Sequence, residues 1–111
     1  MRKQTEKDFQ VSVVQRLSIE QRVPFIHPYY PRSLLEGKRA KRMGMAAGWP
    51  DLLFPAPGSL CLELKAPGGQ QSQTQKSMQL ELESYGLVYE VVRNYDAAIE
   101  AIKRHCIWGY Q

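Results

Sequence analysis

Leu60-Cys61-Leu62-Glu63-Leu64-Lys65 is an apolar, strand-forming run that carries two charges, and it constrains the chain more than any other stretch. Read as a strand, its period-2 alternation sends Leu60, Leu62 and Leu64 to one face and Cys61, Glu63 and Lys65 to the other. Glu63 and Lys65 then project side by side, about 6.6 Å apart along the strand. Upstream lies Gly48-Trp49-Pro50-Asp51-Leu52-Leu53-Phe54. The Pro50 ring biases Trp49 toward extended geometry and opens a second strand, with Asp51 and Leu53 on one face and Leu52 and Phe54 on the other. If the two strands pair as neighbours, Asp51, Glu63 and Lys65 converge on one spot.

Two carboxylates brought together resist joint ionisation unless a cation lies between them. Mg²⁺ suits the position, because it accepts one or two carboxylates while keeping waters and phosphate oxygens. An adjacent lysine could orient or activate a metal-associated water and stabilise charge on a phosphate. The structural alternative is a Glu63–Lys65 neighbour pair on a solvated sheet face. The Pro50-Asp51 pair upstream, with both runs otherwise apolar, favours the site.

The rest of the chain supplies the surroundings. Thr5 to Gln21 reads as a helix, with Phe9, Val13 and Leu17 at successive i, i+4 spacings and Val14 widening the stripe; Thr5 is the N-cap and Asp8 the capping-box acid. Glu6 lies on that inward stripe, either as a first-turn acid favoured by the helix dipole or as a site residue. Val23 to Tyr30 is punctuated by Pro24, Pro28 and then Pro31, which fits an edge strand or an extended segment, and His27 within it reads as a surface or hydrogen-bonded structural histidine. Residues 31–48 contain a short helical turn over Leu34 to Met43, or a mobile loop, which two glycines and weak periodicity favour.

After Lys65 the chain turns through Ala66-Pro67-Gly68-Gly69. A helix is expected from Ser72, its N-cap, to Tyr85, with Gly86 as its stop; the stripe Gln75, Met78, Leu82, Tyr85 faces inward, so the Gln75 amide needs a polar partner. Leu87 to Val92 is an apolar β run expected at the centre of the sheet, parallel to the Glu63 strand through a right-handed β-α-β crossover. Asp96 is read as the N-cap of a last helix, Ala97 to His105, bearing Ile99 and Ile102. The tail Ile107-Trp108-Gly109-Tyr110 either covers the core or supports a dimer contact.

At 111 residues and 43% hydrophobic, the chain 1–111 is expected to form one domain. No run approaches the roughly 18 apolar residues of a membrane helix, and Met1-Arg2-Lys3-Gln4 leads into polar residues, so a cytoplasmic protein without membrane contact is expected. Cys61 and Cys106 lack the spacing of a zinc site and are read as buried free thiols. The net charge is +4, and Arg32, Lys38, Arg39, Lys41 and Arg42 against the single Glu36 supply a surplus of that same size between Pro31 and Met43. Such a stretch is either a solvated loop or a phosphate-binding footprint; its place just before the carboxylate site favours the second.

The ordered set Glu6 on a helix, Gly48-x-Pro50-Asp51, Glu63-x-Lys65 and Ser72-x-x-Gln75 resembles the PD-(D/E)xK nuclease superfamily, and within it the VRR-NUC (virus-type replication-repair nuclease) family. The likeness runs from Glu6 to the last helix, and the brevity of the chain resembles the stand-alone, often phage-borne members, which would act in the cytoplasm of a bacterial host. The resemblance implies a restriction-endonuclease-like α/β core, a central mixed sheet flanked by helices. It implies that Asp51 and Glu63 hold Mg²⁺, or Mn²⁺ in its place, with the backbone carbonyl of Leu64, and that Glu6 reaches the metal directly or through water. Lys65 would position the attacking water, and Gln75 would orient lysine, water or phosphate. The implied activity is a metal-dependent endodeoxyribonuclease, working as a homodimer on branched DNA such as Holliday junctions. Action on flaps or nicked duplex, or DNA binding without catalysis, are the alternatives.

Overall fold

A computed structural model describes residues 5–20, 24–28, 35, 38–39, 42, 48–55 and 59–106. Its elements, in chain order, are α1 (Glu6–Glu20), β1 (Leu52–Phe54), β2 (Leu60–Leu64), α2 (Gln73–Ser84), β3 (Val88–Val92) and α3 (Tyr95–His105). The strands form a mixed sheet in the order β1-β2-β3, with β1 antiparallel and β3 parallel to β2. This is the α/β class expected, with one difference: among the described strands β2, the strand of Glu63, is central, and β3 lies at the edge. The apolar run at Leu87–Val92 reflects helices covering both faces of β3, which hydrophobicity alone cannot distinguish from a central position.

Local chemistry sets the boundaries. Thr5 Oγ1 accepts the Asp8 amide at 3.0 Å and Asp8 Oδ2 accepts the Thr5 amide at 3.4 Å, the reciprocal cap expected for α1. Helix α2 opens with a second such box between Ser72 and Gln75, and Gly86 at φ 88° provides the left-handed residue that ends it. Helix α3 is capped by Asn94, whose Oδ1 accepts the Ala97 amide at 2.8 Å, and not by Asp96, which sits in its first turn. Strand β1 starts at Leu52 and not at Pro50, because Pro50 offers no N–H to a ladder and the chain bends at Asp51.

The alternation read from the sequence is realised on both sides of β2. Leu60, Leu62 and Leu64 join Phe9, Val13 and Leu17 of α1 and Ala98, Ile99 and Ile102 of α3 in one core. On the opposite face, Cys61 packs with Tyr89 and with Leu82 of α2, flanked by Met78. Phe9, Val13 and Leu17 are almost wholly buried, and each such side chain stabilises by about 1.5–3 kcal/mol. Tyr85, expected on the inward stripe of α2, is 76% exposed, because the helix has ended and the chain turns away at Gly86. Cys61 and Cys106 are buried free thiols.

Among the described residues, the segment before β1 joins the sheet through one bridge: Ile26 and Leu53 exchange two backbone hydrogen bonds of 2.8 Å. That agrees with the edge strand or extended segment expected from its prolines. Leu35, Lys38, Arg39 and Arg42 are helical and exposed. Arg32, Lys41 and the tail 107–111 lie outside the described residues. No helix among the described residues is long and apolar enough to cross a membrane.

Candidate metal centre

The register explains how the acids meet. Leu52 pairs with Leu62 across the antiparallel ladder, so one further step sets Asp51 beside Glu63. The Leu64 amide donates to Asp51 Oδ2 at 2.7 Å, tying the bend before β1 to the strand that carries Glu63. On the other side of that bend Gly48 has φ 89°, and a Cβ there would lie 2.7 Å from the Thr74 carbonyl oxygen. Only glycine allows the Gly48-Trp49-Pro50-Asp51 segment this close to the first turn of α2.

Glu63 is 0% exposed. Its Oε1 accepts the Tyr89 hydroxyl at 3.0 Å, while Oε2 is buried with no hydrogen-bond partner among the described residues. A buried carboxylate oxygen left in this state calls for a ligand. Burial, followed by the charge of Glu63, pushes the Tyr89 phenol up and keeps it a donor. Asp51 is 7% exposed, and its carboxyl is raised from 3.8 to about 6. Burial is the main cause; the Leu64 amide opposes it, Glu6 and Glu63 add to it, and Lys65 lowers it.

Lys65 follows the last residue of β2 and is held there by its amide, which donates to the Val92 carbonyl at 2.9 Å. Its Nζ lies 3.8 Å from Glu6 Oε1, so the first turn of α1 reaches the end of β2. Glu6, Asp51, Glu63 and Lys65 are thereby gathered, with Glu6 nearest the ammonium. Among the described residues no three His, Cys, Asp or Glu side chains form a cluster able to hold a metal by themselves. Gln75 is buried as its stripe position requires, but its Oε1 accepts the Ser72 amide at 2.9 Å, so the cap uses the acceptor end of the side chain. Any contact with Lys65, water or phosphate would fall to Nε2.

Two residues here were not assigned to the site from the sequence. Tyr89 sits opposite Cys61 in the parallel register, on the face that carries Glu63; pairing the alternation of the two strands would have found it. His27, expected to be structural, donates through Nδ1 to the Asp51 carbonyl oxygen at 2.8 Å. No pattern in an isolated histidine signals such a contact. His27, Asp51 and Glu6 line an open cleft of roughly 750 Å³ along α1, floored by Val11, Val14 and Phe25.

The donor set fits a hard divalent cation: one carboxylate from the bend before β1 and one from β2, an oxygen of the second buried and without a partner among the described residues, with a lysine beside them. No protein-family profile matches this sequence, and no curated protein does. Among solved structures, a VRR_NUC domain protein superposes with a TM-score of 0.76 at 23% identity, covering 99% of this chain and 94% of that one. The chain has the fold of that VRR_NUC domain protein along nearly its whole length.

Proposed function

We propose that the chain is a metal-dependent DNA endonuclease of the VRR-NUC type, hydrolysing phosphodiester bonds at Asp51, Glu63 and Lys65. The observation that carries this reading is the buried Glu63 Oε2, without a partner among the described residues, beside Asp51 at the Lys65 end of β2. Asp51 and Glu63, with the Leu64 carbonyl, would hold Mg²⁺ or Mn²⁺, and Glu6 would contribute directly or through water. With so few protein ligands, water and phosphate oxygens would complete the set, as Mg²⁺ favours. When bound, the cation supplies Lewis-acid stabilisation of charge on the phosphate and lowers the pKa of water.

The protein's own groups do the rest. Lys65 orients the attacking water and stabilises the phosphate oxygens by charge, while Glu6 steers its ammonium. Gln75 Nε2 supports lysine, water or phosphate from α2. Lys38, Arg39 and Arg42, each helical and exposed, together with Arg32 and Lys41, anchor flanking phosphates. We assign branched DNA such as four-way junctions as substrate by analogy of fold, with a homodimer supplying one cut per protomer. Chain 1–111 would act as a single nuclease domain in the cytoplasm. Activity on flaps or nicked duplex is the nearest alternative. Incubating the protein with Mg²⁺ or Mn²⁺ and four-way junction, flap, nicked, single-stranded and linear duplex DNA, then mapping the cuts, separates these substrates. DNA binding without cutting on every substrate would leave a non-catalytic binding module.

A further inference from the structure

We propose that Tyr89 is a positioning residue that reserves one oxygen of Glu63 and thereby favours Mg²⁺ over Ca²⁺ at the site. The inference rests on the reading of Asp51 and Glu63 as cation ligands. A buried carboxylate has two oxygens, and the structure treats them unequally: Tyr89 donates to Oε1 at 3.0 Å, and Oε2 has no partner among the described residues. Tyr89 is itself 8% exposed and packed with Cys61 and Leu82, so its hydroxyl cannot swing to solvent.

The inequality has a chemical consequence. Mg²⁺ is small, demands octahedral geometry and takes few protein oxygens, whereas Ca²⁺ accepts six to eight oxygens, and carboxylates serve it through one oxygen or both. A Glu63 with Oε1 engaged offers a single oxygen. Removing the Tyr89 hydroxyl frees the second oxygen and leaves the carboxylate less firmly oriented, and loss of such a supporting hydrogen bond typically weakens metal affinity by about 10–100-fold.

The test uses isothermal titration of the full chain with MgCl₂ and CaCl₂. Tyr89→Phe, which retains the ring and its packing, is expected to lose about tenfold or more in Mg²⁺ affinity and to raise the Ca²⁺-to-Mg²⁺ affinity ratio. In a Glu63→Ala background, which removes both side-chain oxygens, the same Tyr89→Phe change is expected to alter neither value by more than about twofold, because the interaction it reports is already gone. Unchanged affinities in Tyr89→Phe, with wild type binding Mg²⁺, overturn the inference alone; so does an equal loss in the Glu63→Ala background. A wild type that binds neither cation removes the site reading as well. Infrared difference spectra of wild type on Mg²⁺ addition need no variant. A wide separation of the antisymmetric and symmetric carboxylate stretches supports binding through one oxygen, and the narrow separation of a two-oxygen mode overturns it.

Discussion

Asp51 Oδ2 accepts the Leu64 amide at 2.7 Å, so a carboxylate from the bend before β1 is fixed to the strand that presents Glu63. The two acids therefore do not drift apart, although Glu63 raises the cost of ionising Asp51. The Asp51 carboxyl sits at about 6, against an ordinary 3.8, mainly because it is buried. Charge is held where the metal-free fold would prefer none.

Stability should record that conflict. The folded-state pKa of Asp51 lies above its unfolded value, so the folded protein holds the proton more tightly. This contribution is complete below pH 3.8 and is lost as pH rises to about 6. Above that, ionised Asp51 costs the metal-free fold on the order of 2–3 kcal/mol. Asp51→Asn, which can still accept the Leu64 amide, should melt higher than wild type in EDTA at pH 7.5, and the gain should vanish near pH 4. A variant that melts lower at pH 7.5 would refute this.

Cation affinity should depend on pH through the same group. A cation at Asp51 displaces a proton, so the affinity for Mn²⁺ should fall as pH drops below about 6, approaching a tenfold loss per pH unit for one displaced proton. Titration calorimetry between pH 5 and 7.5 measures it. A flat profile would mean that the Asp51 carboxylate is not a ligand.

Gly48 is constrained by both its φ of 89° and the Thr74 carbonyl, 2.7 Å from where a Cβ would stand. Gly48→Ala should cost about 2 kcal/mol or more in urea denaturation. It should also depress cleavage by moving Asp51. Wild-type stability would contradict the close approach of this segment to α2.

Lys38, Arg39 and Arg42 are helical and exposed. Replacing all three with glutamine should weaken duplex DNA binding and lower the slope of log affinity against log salt by about 2.7, measured by fluorescence anisotropy. An unchanged slope would show that they do not touch phosphate.

The sequence carried the centre of the fold well, for a physical reason. Period-2 alternation of Leu60, Leu62 and Leu64 against Cys61 and Glu63, with both faces buried, and 3.6-period burial along Phe9, Val13 and Leu17 both leave direct traces in residue order. The convergence of Asp51 with Glu63 needed only antiparallel pairing of two short strands. Strand order left no such trace: β3 is as apolar as a central strand because helices cover both of its faces. The Asn94 cap lay two residues from Asp96, a difference decided by backbone geometry. Tyr89 and His27 reach the acids through tertiary contacts spanning 26 and 24 residues, which local pattern does not encode. Gln75 faces inward as its spacing requires, yet its acceptor end is committed to Ser72, a capping box available in Ser72-x-x-Gln75.

The most direct test of the central claim is strand cleavage of a labelled four-way junction in Mg²⁺ by wild type, Asp51→Ala and Glu63→Ala, with DNA binding measured in parallel. Wild type is expected to cut, and both variants to lose cleavage by at least about 10³-fold while still binding the junction. Undiminished cutting by either variant would contradict the assignment of Asp51 and Glu63 as the centre of the reaction.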